Sequence, residues 1–251
     1  MANMGPQGIL KHIDDPATSI VSSTAGTTIT WATNTAGSAT DFVRAVAAGK
    51  GVHYYGAMDA VSGSSSEFAS NNLNFAPQEG HCAVEIIVQF SDISHSFTFG
   101  FNDTVQDSNL PIDCATTTMT ATATDGIYFV YDGTDATNKD LHCAWVVDGT
   151  MKTTDMDGSV DGQPIRMKGM HPTASKWFYM KVELDDQGSG NSPIATFLAV
   201  DHLGRSAEKR FETNLTRGDS FAYHFCAENA SATANYIYLR GCNWEQTIPN
   251  M

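Results

Sequence analysis

Apolar residues recur at every second position over most of the chain from about residue 80 onward. In His81–Phe90, Val84, Ile86, Val88 and Phe90 share one face, while Glu85 and Gln89 take the other. Phe97, Phe99 and Phe101 make an aromatic stripe of the same period. Trp177–Asp185 sets Phe178, Met180, Val182 and Leu184 inward against Lys181 and Glu183. Such alternation predicts half-buried strands. Ile127–Tyr131 and Leu141–Val147 are apolar on both faces, which predicts central strands. Ala195–Val200, Phe221–Glu228 and Ala234–Arg240 complete the set. Turn chemistry separates the runs at Asp125-Gly126, Asp132-Gly133, Asp148-Gly149, Gly188–Asn191 and Arg217–Asp219.

No long stretch carries a helical period. The one helical candidate, Leu110–Met119, is short and rich in threonine. Without crossover helices parallel pairing has no connections to use, so the pattern predicts an all-β, two-sheet antiparallel β-sandwich of the jelly-roll kind. Residues 1–40 read differently. They hold Pro6 and Pro16 and a Thr/Ser/Ala/Gly stretch, with short strands expected at Ser19–Ser22 and Thr27–Trp31. We read 1–40 as an extended N-terminal arm and 41–251 as the sandwich. The arm is too apolar at Ile9, Leu10, Ile13, Val21, Ile29 and Trp31 to be a purely solvated tail. It is therefore expected to dock, either on a partner as an added edge strand or on its own sandwich.

Composition narrows the function. Charged residues are only 17% of the chain, and 28 acidic against 14 basic residues leave a net charge of -14. That balance disfavours phosphate backbones and anionic lipid surfaces, so neither nucleic acid nor membrane is an expected partner. No apolar run approaches a membrane span, and the first residues lack the pattern of a secretory signal. Five scattered cysteines, Cys82, Cys114, Cys143, Cys226 and Cys242, include no C-x-x-C pair, so reduced thiols of a cytoplasmically made protein are expected.

Candidate chemistry is sparse. Glu183-Leu-Asp185-Asp186 stops short of the E-x-D-x-x-E spacing of paired-carboxylate glycosidases, and Glu85 stands alone, so no catalytic residues are assigned. Asp155, Asp157 and Asp161 in DMDGSVDG resemble a loose calcium loop that lacks its closing glutamate; an acidic turn is the commoner explanation. No other cofactor is expected. The eight histidines show no H-x-H or H-E-x-x-H spacing, and Arg217-Gly218-Asp219 is ordinary turn chemistry. Tyr54, Tyr55, Trp177 and Tyr179 are candidates for stacking on sugar rings, although aromatics on strands more often serve the core.

The pair Trp177–Asp185 and Ala195–Asp201, with Gly204, resembles a strand pair of concanavalin A-like jelly rolls. DGIYFVYDGTD and LHCAWVVDGT resemble the preceding hairpin, and Ala234–Arg240 the closing strand. This arrangement recurs in virion proteins of tailed bacteriophages. The resemblance implies a capsid decoration or cement protein on the capsid surface of a virion assembled in the host cytoplasm, with the major capsid protein as partner. A homo-oligomer is expected, a trimer in preference to a dimer, because Tyr236 and Tyr238 and the doubly apolar strands leave sheet surface to cover. A lectin-like module for host attachment is the alternative, and a glycoside hydrolase the third reading.

Overall fold

The computed structural model describes residues 9–12, 21–22, 31–37, 39–70, 72, 75–105, 109–115, 117–135 and 139–247, with backbone alone at 9–12 and 21–22. In chain order the strands are β1 (Ile9–His12), β2 (Val21–Ser22), β3 (Trp31–Ala36), β4 (Thr40–Ala47), β5 (Gly51–Met58), β6 (Ser65–Ser70) and β7 (Cys82–Phe90). Next come β8 (His95–Asn102), β9 (Ile112–Ala115), β10 (Thr118–Ala121), β11 (Gly126–Asp132), β12 (Leu141–Val147), β13 (Thr150–Met151) and β14 (Ser159–Val160). The last are β15 (Gln163–Pro164), β16 (Arg166–Met167), β17 (Phe178–Asp185), β18 (Ile194–Val200), β19 (Ser206–Glu212), β20 (Ala222–Asn229) and β21 (Asn235–Thr247).

Among the described residues these strands build two large sheets. Sheet A runs β19-β18-β17-β7-β21-β5-β4, with β1 alongside β21. Sheet B runs β13-β12-β11-β8-β20-β6-β3-β2, with β16 alongside β12. Every pairing is antiparallel except β2 with β3. The antiparallel sandwich expected from the sequence is the fold. Its core lies between the sheets and is rich in aromatic rings. Phe129 meets Phe197 at 5.2 Å, Trp145 meets Phe211 at 5.2 Å, and Phe90 stacks on Phe97 at 5.1 Å. Gly56 has its place for a steric reason: a Cβ there would sit 2.8 Å from the Phe42 ring, which anchors β4 to the core. Ring pairs like these add to the area they bury, so the interior is held at many points at once.

Three local expectations change. Leu110–Met119 is not helical; it forms most of the ribbon β9–β10, because threonine and isoleucine favour extended backbone. β12 is not central. Only the two-residue strands β13 and β16 lie beyond it, and it is buried on both faces because its outer side is covered too. The division at residue 40 cuts through sheet B, since β3 pairs along its whole length with β6 and Trp31 is fully buried. Two hairpins turn as their sequence dictates. Asp148-Gly149 joins β12 to β13 with φ of 50° and 70°, and Asp161-Gly162 joins β14 to β15 with 52° and 77°. Both residues of each pair are left-handed, the type I′ geometry that Asp-Gly favours.

Candidate functional site

The outer face of sheet A is open, and the register places its side chains in rows. Tyr55 lies beside Tyr238, which lies beside Gln89. Arg240, Ile87 and Tyr179 make the next row, then Asn243, Glu85 and Lys181, then Glu245, Ala83 and Glu183. The aromatic end is built by Tyr55 stacked 6.0 Å from Tyr236 and tilted 5.6 Å from Tyr238, with the Lys50 ammonium 3.4 Å above the Tyr238 ring. Arg240 lies 5.1 Å over Trp177. This end continues to edge strand β4, where Val43, across from Tyr55, is 47% exposed on the same face as Tyr236 at 41%.

The polar end is tightly paired. Tyr179 donates its hydroxyl to Glu85 Oε2 at 2.7 Å, and Asn243 donates to Glu85 Oε1 at 2.6 Å. Burial, then the Glu85 carboxylate, raises the Tyr179 phenol well above its ordinary value. Lys181 Nζ lies 2.5 Å from Glu183 Oε1. Burial alone would lower that ammonium, but the carboxylates around it raise it on balance. His81 Nδ1 stands 2.7 Å from Asp185 Oδ1, and its Nε2 stands 3.0 Å from Glu245 Oε1 and 4.0 Å from Glu183 Oε1. Among the described residues His81, Glu183 and Glu245 are the one group of three such side chains whose ligand atoms all lie within 4.8 Å of one another.

The outer face of sheet B is covered. Cys114 of β9 is close enough to Asp132 for that carboxylate, after burial itself, to raise its thiol, and Asp113 raises Glu228 in the same secondary way. β9 packs against β8 on this side. Beneath the cover, Glu67 and His224 pair at 2.8 Å with both side chains buried. A separate cavity of about 260 Å³ opens near β12 and β13, walled by Trp145, Val147, Thr150, Met151, Lys152 and Asn214, with neither carboxylate nor imidazole.

The residues singled out from sequence fare unevenly. Tyr55, Trp177 and Tyr179 reach the open face of sheet A, whereas Tyr54 is fully buried and points inward against Phe68 at 4.8 Å. Adjacent strand residues take opposite faces, so Tyr54 and Tyr55 could not both serve a surface. Trp31 is likewise interior, stacked 4.7 Å from Phe68, and cannot touch a partner. The backbone of Ile9 and Leu10 pairs with β21, and that of Val21 with β3. These stretches of the arm lie on their own sandwich; Ile13 and Ile29 fall outside the described residues. Asp155, Asp157 and Asp161 do not converge on an ion. Asp155 accepts the Asp157 amide at 2.9 Å, Asp157 accepts from Arg166 at 3.1 Å, and Asp161 turns the β14–β15 hairpin. Arg217 forks onto Asp186, and Asp219 accepts the Thr216 amide, so the Arg-Gly-Asp triplet is a turn. His81, Glu85 and Glu245 were not assigned from sequence. Only the outward parity of His81 and Glu85 was legible there; Glu245 lies beyond the last strand read from sequence, Ala234–Arg240, past a bulge after Arg240.

No protein-family model matches the chain, and no curated protein matches it in sequence. Solved structures do. Peanut lectin superposes with a TM-score of 0.57 at 8% identity, over 97% of this chain and 99% of that one. The fold is concanavalin A-like. The carbohydrate recognition domain of Emp47p is similar with a TM-score of 0.51 at 13% identity, over 87% of this chain and 88% of that one. An alginate lyase from Aplysia kurodai gives 0.53 at 10% identity, over 83% and 87%. At such identities the likeness is one of fold, and recognition domains share it with an enzyme.

Proposed function

We propose that this protein is a non-catalytic structural protein of a tailed-bacteriophage virion, a decoration protein that docks on the major capsid protein through the β4–β5–β21 corner of sheet A. One observation carries the reading: Val43 and Tyr236 stand exposed on one face beside half-buried Tyr55, on the last strands of the sheet. Tyrosine-rich apolar patches with a polar rim are what protein interfaces use, and the far end of the face supplies that rim. The resemblance of β17, β18 and β21 to virion jelly rolls supports the setting. A ligand for the assembled shell favours that shell by mass action. A Val43→Asp, Tyr236→Ser variant that keeps the fold is expected to lose binding to undecorated shells at least tenfold. Equal binding by variant and wild type would sink the docking surface. Absence of the chain from purified virions would sink the setting.

A lectin-like role is the second reading, favoured by Trp177, Tyr55 and Tyr238 beside the Lys50 and Arg240 side chains on one open face. Rings with adjacent hydrogen-bonding groups suit sugars. Saturable binding on a glycan array that disappears in Trp177→Ala would move this reading ahead of the first.

A further inference from the structure

We propose that His81, Glu183 and Glu245 form a binding site for a divalent transition ion, zinc being the best match, on the open face of sheet A. The register explains why the three meet. Glu183 on β17 and Glu245 on β21 both pair across from Ala83 of β7, in one row and on one face. Neighbouring strands lie about 4.8 Å apart, so the two glutamates start about 10 Å from one another and lean over the smallest outward side chain of β7. His81, two residues before Ala83, lies on the same side and closes the gap.

The ligand atoms are already near their places. A tetrahedral ion bound at about 2.0–2.2 Å needs ligand atoms about 3.3 Å apart. The His81 Nε2 distances to Glu245 and Glu183, 3.0 Å and 4.0 Å, bracket that value. His81 has a carboxylate oxygen at both ring nitrogens, 2.7 Å from Nδ1 and 3.0 Å from Nε2. A neutral imidazole carries a single N–H, so the lone pair of the other nitrogen faces a carboxylate unless a proton or a metal cation lies between them. Asp185 at Nδ1 is the partner that fixes the ring of a metal-bound histidine and leaves Nε2 for the ion. One imidazole and two carboxylates suit zinc; calcium prefers six to eight oxygens, more than this group offers.

Lys181 now occupies part of the same space with its ammonium on Glu183. It competes with the ion, and its removal should tighten binding. An ion here would tie the end of β21 to β17 across β7, so zinc should also raise the unfolding temperature.

The test is calorimetry and thermal unfolding of the full chain with zinc chloride, against magnesium and calcium chloride. One zinc per chain is expected, with at least tenfold weaker binding in His81→Ala and in the isosteric Glu245→Gln. Asp185→Asn should weaken binding about 10–100-fold, as loss of such a supporting carboxylate does. Lys181→Met should strengthen it several-fold, and the zinc-dependent rise in unfolding temperature should vanish in Glu245→Gln. No saturable uptake by the wild type overturns the proposal. So does uptake that survives unchanged in His81→Ala or Glu245→Gln, since the ion then sits on other residues.

Discussion

Sheets A and B share one core but differ in what lies behind them. β17 and β18 of sheet A alternate buried and half-buried residues without a break, because water lies behind them. β11 and most of β12 in sheet B are buried at every position, because a second layer lies over them. The covered face is not simply apolar. It contains the Glu67–His224 pair, Thr98 with an unpartnered hydroxyl, and His142 with neither ring nitrogen paired. On the open face the charges are met by partners while still touching solvent. Burial therefore sets the scale of each interaction: the same carboxylate–imidazole contact matters far more in the fully buried Glu67–His224 pair than on sheet A.

The sharpest way to break this comparison is to remove one member of each pair. Glu67→Ala should cost about 3–5 kcal/mol in urea unfolding, because an uncompensated polar partner stays buried. Asp185→Asn, beside the half-exposed His81, should cost about 1 kcal/mol or less. Equal costs would mean that the two faces are equally wet.

Acid should act through sheet B and the interior. Burial lowers His142 to about 4, with Arg166 as the next cause, and lowers His95 to about 3. Unfolded, both bind a proton near pH 6.5. The unfolded state thus takes up protons first as pH falls, and stability drops from about 6.5 until the folded values are reached. For His142 alone the loss by pH 4 is about 3 kcal/mol. A Gln at position 142 should flatten the stability profile between pH 6.5 and 4; an unchanged slope would show that the buried ring is not what resists protonation.

Smaller effects belong to the open face. Tyr179→Phe removes the bond to Glu85 and should cost about 1 kcal/mol, measured by thermal unfolding. Val43→Thr should change stability by under about 0.5 kcal/mol while reducing any self-association or shell binding, which light scattering and sedimentation would report.

Much of the fold was legible because β7, β8, β11, β12, β17, β18, β20 and the start of β21 carry their burial in their own residues. β19 was not, since it is a charged edge strand, Ser206–Glu212, in which only Phe211 is fully buried. β6 was also hidden: Ser65-Ser66-Glu67 looks solvated, yet every residue of the strand is buried. The outward parity of Glu183 could be read in advance. Its meeting with His81 and Glu245 could not.

The amino-acid sequence by itself determined the strand period, the Asp-Gly hairpins, the absence of long helices and the side from which each alternating residue would look out. These follow from short-range sterics and from a period of two, which a few neighbouring residues can encode. Only the tertiary structure decided that sheet B would be roofed, that Trp31 and Tyr54 would be interior, and that positions 81, 183 and 245 would share one row. Those outcomes depend on which strands become neighbours and in what register. Glu67 and His224, 157 residues apart, meet only because β6 and β20 pair. Contacts at that distance along the chain are set by the packing of the whole sandwich, and no local pattern specifies them.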